Sequence, residues 1–483
     1  MLSRVVKEGI FMKNLFYKPK GAWAGDFIPY YKDGRFRIFY LHDWRDKENH
    51  GEGTAWYQVS TDNFVDYKEH GEMISRGKIN EQDLYVFTGS VIESDGLYHI
   101  FYTGHNPYFP QQGKPTQGVM HAISQDLEHW IKVEEDTFYS PNDIYEIHDW
   151  RDPFVFWNED ENEFWMLLAA RLKEGPSRRR GCIALCASRD LKKWEVREPF
   201  WSPSLYYTHE CPDLFKIGDW WYLVYSTFSE RHITHYRMSK TLNGSWIAPT
   251  NDSFDGRAYY AAKTFSDGEK RYIFGWNPTK EGNRDEGKWQ WGGNLVVHEI
   301  IQQPDGSLSV KIPDTIDKKF SICHSNTFDI LEGNWIIKNK EIFANAKDSY
   351  AYAIAGDMAR KCKIEGNIAF DENTYSCGII LRLQEDMDSG YYIRLEPKHN
   401  RLVFDLWPRK GDCPFAVELE RPIRLEAGQP YNIKIVIDDT VGIVYLDEKV
   451  AMNFRLYDFP KGKWGIFVSE GTAKFDNIGL WVE

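Results

Sequence analysis

The sequence predicts an all-β protein, a five-bladed β-propeller followed by a β-sandwich. Five segments each read as an aromatic-rich strand, a tight turn and a second aromatic-rich strand. Their turns lie at residues 33–34, 95–96, 161–162, 218–219 and 267–268, which are 62, 66, 57 and 49 residues apart. Asp-Gly and related pairs between apolar runs are a strong hairpin signal. Such a spacing is the length of a four-stranded propeller blade with its loops.

A second repeated phrase runs in register with the hairpins. Its copies begin with a serine at positions 60, 124, 188 and 239, and the later copies end in tryptophan. We expect each copy to turn the chain toward the outer strand of its blade. The tryptophan then fills the gap between neighbouring blades.

Both repeats stop after Pro313. From about residue 326 onward the strands alternate with period two, which is typical of a sandwich with short turns. We therefore expect a propeller domain over residues 1–313, a linker over 314–325 and a sandwich over 326–483.

Composition restricts the class of partner. The 59 Lys and Arg residues against 72 Asp and Glu give a net charge of −13, which argues against nucleic acid or an anionic membrane as the main partner. Aromatic residues reach 16%, with 19 Trp, a usage that excludes disorder and favours β-structure with stacking surfaces. A small neutral carbohydrate fits these properties, and homo-oligomerisation is left open.

Location is predicted from the first residues and the cysteines. Arg4, Lys7, Glu8 and Lys13 interrupt the start of the chain, so no signal peptide is expected. No apolar run reaches the length of a membrane span. The seven cysteines are scattered and never form a CxxC pair, which favours reduced thiols and a cytoplasmic location.

Three carboxylates are expected to face one funnel. The innermost strand of each propeller blade starts near the central axis, and Asp26, Asp152 and Glu210 precede such strands in blades one, three and four. Their positions look equivalent from one blade to the next. Glycosidic bond cleavage needs one carboxyl as proton donor and another as nucleophile or base. A third carboxylate can stabilise the positive charge that develops on the sugar ring.

Other residues at this level are candidates for substrate binding. The hydroxyl and guanidinium candidates are Ser90, Arg151 and Tyr260. The candidates for stacking walls are Trp23, Trp44, Trp150 and Trp291.

Several motifs resemble glycoside hydrolase family 32. Residues 210–215 read ECPDLF and residues 151–153 read RDP; supporting matches are FTGS at 87–90, FGW at 274–276, and WGG at 291–293 with HE at 298–299. The resemblance covers about residues 16–310. It implies a β-fructofuranosidase that retains configuration, with Asp26 as nucleophile, Glu210 as general acid/base, and Asp152 beside Arg151 as the stabiliser of ring hydroxyls. It implies no metal or organic cofactor.

The first motif departs from the family pattern. The family reads close to WMNDPNG, whereas residues 23–29 read WAGDFIP, which keeps Trp23 and Asp26 but has neither asparagine. Leu41 stands where the family usually has a glutamine. Groups that would hold the terminal fructosyl unit are therefore missing, so the usual sucrose-type specificity is not implied.

Three alternatives remain open at this point. A related five-bladed glycosidase of the family 43 type would cleave arabinosides or xylosides with inversion, and a wider separation of its carboxyls would distinguish it. A carbohydrate-binding propeller without catalysis would explain the altered first motif. A fructosyltransferase would pass the same intermediate to a sugar acceptor.

Overall fold

The computed structural model describes residues 11–338, 340–408 and 417–483. Arg4, Lys7 and Glu8, on which the signal-peptide prediction rests, lie outside these residues, as does Cys413, one of the seven cysteines. The described chain is almost all strand, as predicted, and none of its helices has the length and apolar character to cross a bilayer. Its short helical segments are α1 (Lys47–His50), α2 (Asp314–Asp317) and 3₁₀ turns at Phe109–Gln112, Glu134–Asp136, Ser177–Arg179, Glu281–Asn283 and Pro397–His399.

Twenty strands build five blades around one axis, which confirms the predicted propeller. Blade one contains β1 (Phe11–Lys13), β2 (Trp23–Lys32), β3 (Arg35–Asp43), β4 (Ala55–Thr61) and β5 (Asp66–Ile74). Blade two contains β6 (Tyr85–Ser94), β7 (Leu97–His105), β8 (Gln117–Ser124) and β9 (Ile131–Lys132). Blade three contains β10 (Tyr145–Asn158), β11 (Glu163–Leu172), β12 (Gly181–Ser188) and β13 (Glu195–Trp201).

Blade four contains β14 (Glu210–Ile217), β15 (Trp220–Thr227) and β16 (Ile233–Ser239). Blade five contains β17 (Tyr260–Ser266), β18 (Arg271–Lys280), β19 (Trp289–Gln302) and β20 (Leu308–Lys311). The first and last blades join where Ala24 of β2 pairs with Gly293 of β19. This pairing closes the ring of blades.

The repeated serine phrase has the structural role that was predicted. The Ser124 hydroxyl accepts a hydrogen bond from the Leu127 amide at 3.0 Å, which turns the chain between the third and outer strands of blade two. The tryptophan that ends each later copy packs against an aromatic ring of the preceding blade. These pairs are Trp130 with Phe39, Trp194 with Phe101 and Trp246 with Phe200, with ring centroids 5.9, 5.4 and 5.7 Å apart.

The remaining strands form the predicted sandwich around its own apolar core. They are β21 (Ile322–Ser325), β22 (Asp329–Glu332), β23 (Asn334–Lys338), β24 (Glu341–Asp357), β25 (Lys361–Phe370), β26 (Ser376–Leu383), β27 (Gly390–Glu396), β28 (Arg401–Trp407), β29 (Leu419–Pro422), β30 (Tyr431–Asp438), β31 (Val441–Leu446), β32 (Val450–Arg455) and β33 (Lys463–Val482). The long β33 pairs first with β26 and then with β25, so it links the two layers.

The segment between the two domains is ordered and packed. Ile316 of α2 and Phe320 are buried in the same cluster as propeller residues, and sandwich residues such as Val441 and Tyr445 join that cluster. Strand β21 already pairs with β33. We propose that the domain boundary lies between β20 and β21, an interval that overlaps the segment expected to be a linker.

Candidate active site

A β-bulge recurs in the innermost strand of every blade. The pairing with the neighbouring strand slips after Gly25, Phe87, Arg151, Glu210 and Tyr260. The residue that follows takes a left-handed conformation in four blades, with φ of 49° at Asp26, 58° at Asp152, 52° at Cys211 and 49° at Ala261. Bulges of this kind redirect side chains next to active sites, and strained residues cluster there.

The bulges correct one expectation from the sequence. Asp26 and Asp152 occupy the same left-handed position, but Glu210 lies one residue earlier, at the position of Arg151 and Tyr260. The sequence spacing did not resolve this offset because an extra residue in the bulge changes which side chain faces the axis.

Hydrogen bonds from these positions connect all five blades in a ring. The Thr88 hydroxyl of blade two donates to the Asp26 carboxylate of blade one at 2.5 Å, and the backbone amide of Asp152 in blade three donates to the Thr103 hydroxyl of blade two at 2.7 Å. Asp152 accepts in turn from the Cys211 amide of blade four at 2.9 Å.

Blade five completes the ring. The Tyr260 hydroxyl donates to Glu210 Oε2 at 2.6 Å, and the Trp276 indole N–H donates to Asp26 Oδ1 at 3.0 Å. Asp26, Asp152 and Glu210 therefore belong to one polar network at the axis, where the sequence placed them.

Arg151 supplies positive charge to this network. Its guanidinium donates to Glu210 Oε1 at 3.2 Å and to Asp149 Oδ1 at 2.8 Å, and it lies 3.9 Å from Asp152 Oδ2. It also donates to the buried Thr208 hydroxyl at 3.2 Å. The arginine partly compensates three neighbouring carboxylates and fixes their positions relative to one another.

Two of the carboxyls hold protons more tightly than usual. Burial raises the pKa of Asp26 to about 7, against the hydrogen bond from Thr88, and the negative charges of Asp152 and Glu210 add to the increase. Burial also raises the pKa of Glu210, an effect that the Arg151 guanidinium opposes. Because these groups interact, they titrate as a set, and near neutral pH the set can present one acid and one carboxylate.

Of the aromatic candidates, Trp291 lies near the carboxylates. Its ring centroid is 6.0 Å from that of Trp276, which donates a hydrogen bond to Asp26. Trp23 lies three residues before Asp26, but its indole N–H donates to Thr279 and the Arg45 guanidinium covers its ring at 4.2 Å. Trp44 stacks on His50 with centroids 4.2 Å apart, and within the described part of the chain it makes no hydrogen bond to the groups of this network.

Two candidates are engaged elsewhere. The buried Ser90 hydroxyl accepts a hydrogen bond from the Val155 amide at 3.0 Å, so it joins blade two to blade three. Trp150 is fully buried and packs against Tyr145 at 5.2 Å, so it is a core residue and not a stacking wall. Both side chains therefore make contacts inside the propeller, which the sequence pattern did not reveal.

Thr88 and Trp276 are the residues that sequence reasoning passed over as partners of Asp26. Thr88 was noted only as part of a motif, yet it is the bulge residue of blade two. Trp276 lies opposite Tyr260 in the β17–β18 pairing. The five bulges place Thr88 at the position that Asp26 and Asp152 occupy in their own blades.

Comparison with known proteins fits this geometry. The family model for the glycosyl hydrolases family 32 N-terminal domain matches residues 17–308. This chain belongs to glycosyl hydrolases family 32. The match also sets aside the family 43 alternative, and the chain is a glycoside hydrolase by its family.

Other members of family 32 resemble the whole chain. The sucrose-6-phosphate hydrolase of Escherichia coli is 22% identical, over 98% of this chain and 94% of that protein. The levanbiose-producing levanase of Bacillus subtilis is 24% identical, over 93% and 86%. The crystal structure of fructan 1-exohydrolase IIa from Cichorium intybus superposes with a TM-score of 0.74 at 14% identity, covering 99% of this chain and 98% of that one.

The positions where this family 32 member departs from the family pattern, in the first motif and at Leu41, lie among apolar residues. Ile28 and Leu41 are buried in the core between blades one and two. Gly25 lies against the Trp291 indole: a Cβ atom there would be 2.6 Å from Trp291 Cζ2. The absent side chain at position 25 thus leaves room for an aromatic ring beside Asp26.

Proposed function

We propose that this chain hydrolyses β-fructofuranosides from their non-reducing end, with retention of configuration. The observation that carries the proposal is the ring of hydrogen bonds that joins Asp26, Asp152 and Glu210 across the blades of a family 32 propeller. Relatives named as sucrose-6-phosphate hydrolase, levanase and invertase support sucrose-like compounds or short fructo-oligosaccharides as substrates.

In the first step, Asp26 attacks the anomeric carbon while Glu210 gives its proton to the glycosidic oxygen. The bond from that carbon to the leaving oxygen breaks, and a fructosyl ester forms on Asp26. The hydrogen bonds from Thr88 and Trp276 hold the attacking carboxylate in place. Asp26 has no lysine or arginine bonded to it among the described residues, so no ion pair restrains the fraction that is ionised near its pKa of about 7.

In the second step, Glu210 removes a proton from water as the water oxygen attacks the same carbon, and Asp26 is released. Asp152 stays bound to the Cys211 amide throughout. From that position we propose that it accepts hydrogen bonds from ring hydroxyls, which strengthen as positive charge develops on the sugar. The Arg151 guanidinium, which contacts both carboxylates, holds Asp152 and Glu210 in fixed positions relative to each other.

We also propose that Trp291 forms the wall of the fructosyl pocket beside Asp26, and that Tyr260 positions Glu210. Trp23 and Trp44 are proposed to lie further out along blade one. The six described cysteines are free thiols, which supports a cytoplasmic location. The sucrose-6-phosphate hydrolase relatives are compatible with it.

A hydrolysis screen tests the function. Sucrose, sucrose 6-phosphate, a short fructo-oligosaccharide and an arabinofuranoside are incubated with the protein, and the first-formed anomer is followed by proton NMR. Release of β-fructofuranose from at least one fructoside is the expected result. Sugar binding without turnover would point to a carbohydrate-binding protein, transfer to an added acceptor would point to a fructosyltransferase, and the α-anomer would exclude a covalent intermediate.

Thr88→Val tests the position of Asp26 through the pH profile. The Thr88 hydrogen bond lowers the pKa of Asp26, so its loss raises that pKa further. The nucleophile must be ionised, and the acid limb of kcat/KM should therefore move to higher pH by about one unit. Ser90→Ala, two residues along β6, is the control and should leave the limb in place. If the acid limb does not move in Thr88→Val, Asp26 is not the nucleophile whose ionisation sets that limb.

Gly25→Ala tests the wall beside the nucleophile. The new methyl group must displace the Trp291 indole, so KM should rise by about 10-fold, the effect of 1.4 kcal/mol, with a smaller change in kcat. Gly25 does not have a positive φ, so the backbone accepts alanine without strain. Gly256→Ala is the matched control, because a methyl group there meets only ordinary contacts. Equal kinetics for both variants would show that the indole does not bind substrate.

A further inference from the structure

One edge of the sandwich carries a group of exposed apolar side chains. These are Ile330, Leu331, Ile336, Ile337 and Phe343, each between 39% and 54% exposed. A single exposed side chain, such as Ile131 on β9 at 68%, is common on protein surfaces. Five within a short stretch of chain are more than expected for scattered exposed residues, and because consecutive strand residues alternate in direction they expose apolar area on both faces of this edge.

The same stretch is an open edge of the sheet. Within the described residues, β22 and β23 pair only with β24, so the other side of each strand has unpaired backbone groups. Natural edges are usually protected by charged residues, proline or a covering segment. The centre of β23 instead reads Trp335-Ile336-Ile337.

The register extends the apolar face across two strands. Ile336 pairs with Phe343 of β24, so these exposed side chains lie next to each other on one face. A strand added beside β23 would gain backbone hydrogen bonds and would cover part of this face.

The charges at the two ends of the edge favour a second copy of the same chain. Asp329 and Glu332 lie at its start, while Lys338 and Lys340 lie at or just after its end. None of the four forms an ion pair with another described side chain. Antiparallel pairing of two copies about a two-fold axis near Trp335 places Glu332 of each copy opposite Lys338 of the other. Parallel pairing would oppose like charges.

We propose that the β22–β23 edge is the interface of a homodimer in which the two edges pair antiparallel. The interface lies on the sandwich, away from the hydrogen-bond ring of the propeller. Each copy therefore keeps its own site, and dimerisation and turnover can be measured independently.

Sedimentation equilibrium of the full chain at about 50 µM tests the proposal, because an interface with a Kd on the order of 1 µM is mostly occupied at that concentration. The expected mass is twice the 56.7 kDa of one chain. Ile336→Lys should reduce it to that of the monomer. Ile131→Lys, which places the same charge on another exposed isoleucine, should remain a dimer. A monomeric wild type, or a dimer that survives Ile336→Lys, would overturn the proposal.

Charge reversal tests the antiparallel pairing itself. A variant with Asp329→Lys and Glu332→Lys has an edge that is basic at both ends, and one with Lys338→Glu and Lys340→Glu has an edge that is acidic at both ends. Each variant alone should be monomeric, and a mixture of the two should form a heterodimer. If both variants dimerise alone, or the mixture stays monomeric, two-fold pairing of this edge is wrong. Capture of a different protein in place of a second copy would also contradict it.

Discussion

Asp26→Asn is expected to abolish turnover of every fructoside, whichever group leaves. The amide cannot form the glycosyl ester, so the loss should be on the order of 10⁶-fold, the scale seen when an enzyme nucleophile is removed. Initial rates with sucrose and with 4-nitrophenyl β-fructofuranoside measure it. Appreciable activity toward either substrate would exclude Asp26 as the nucleophile.

Thermal unfolding separates this loss from misfolding. The pKa of Asp26 is raised to about 7 in the folded chain, above the value of about 4 for a free aspartate. Its protonated form therefore adds stability below pH 4, and this contribution is lost as the pH rises through 7. Asparagine stays neutral, so at pH 8 the variant should have a Tm no lower than the wild type, with a weaker dependence on pH between 4 and 7.

Glu210→Gln is expected to separate substrates by their leaving group. Glutamine keeps the shape of the side chain but cannot donate a proton, so kcat/KM for sucrose should fall by about 10²- to 10⁴-fold. The bond to 4-nitrophenolate needs little protonation and should still break rapidly. The covalent intermediate would then accumulate, because Glu210 also serves as the base for water.

Glu163→Gln is the matched control for this variant. Glu163 is a buried glutamate of blade three that binds Trp165 and Arg197 away from the ring. Its replacement should leave the ratio of kcat/KM for sucrose to kcat/KM for the nitrophenyl substrate unchanged. If Glu210→Gln lowered kcat/KM equally for both substrates, proton donation would have to be assigned to another group.

The propeller could be predicted because its signals are local. Asp33-Gly34 and Asp95-Gly96 form turns with both residues at positive φ, a conformation that these residue types accept without help from the rest of the fold. The repeats then gave the register of the blades and brought Asp26, Asp152 and Glu210 to one end of the axis.

The parts that could not be predicted depend on contacts between blades. Ser90 bonds to the Val155 amide of blade three and Trp150 packs on Tyr145, and no local sequence pattern marks either contact. The donors to Asp26 come from residues 62 and 250 positions away. The contact between Gly25 and Trp291 joins residues 266 positions apart, so the sequence shows only the missing asparagine and not the indole that lies in its place.

Mass spectrometry of a trapped intermediate tests the proposed mechanism most directly. Glu210→Gln is mixed with 4-nitrophenyl β-fructofuranoside, quenched in acid within milliseconds and digested with a protease. The proposal predicts that the peptide containing Asp26 gains the mass of one fructosyl unit, and that fragmentation places it on the Asp26 carboxylate. Nitrophenol release with an unmodified Asp26 peptide, or a fructosyl unit on another residue, would contradict a double displacement through Asp26.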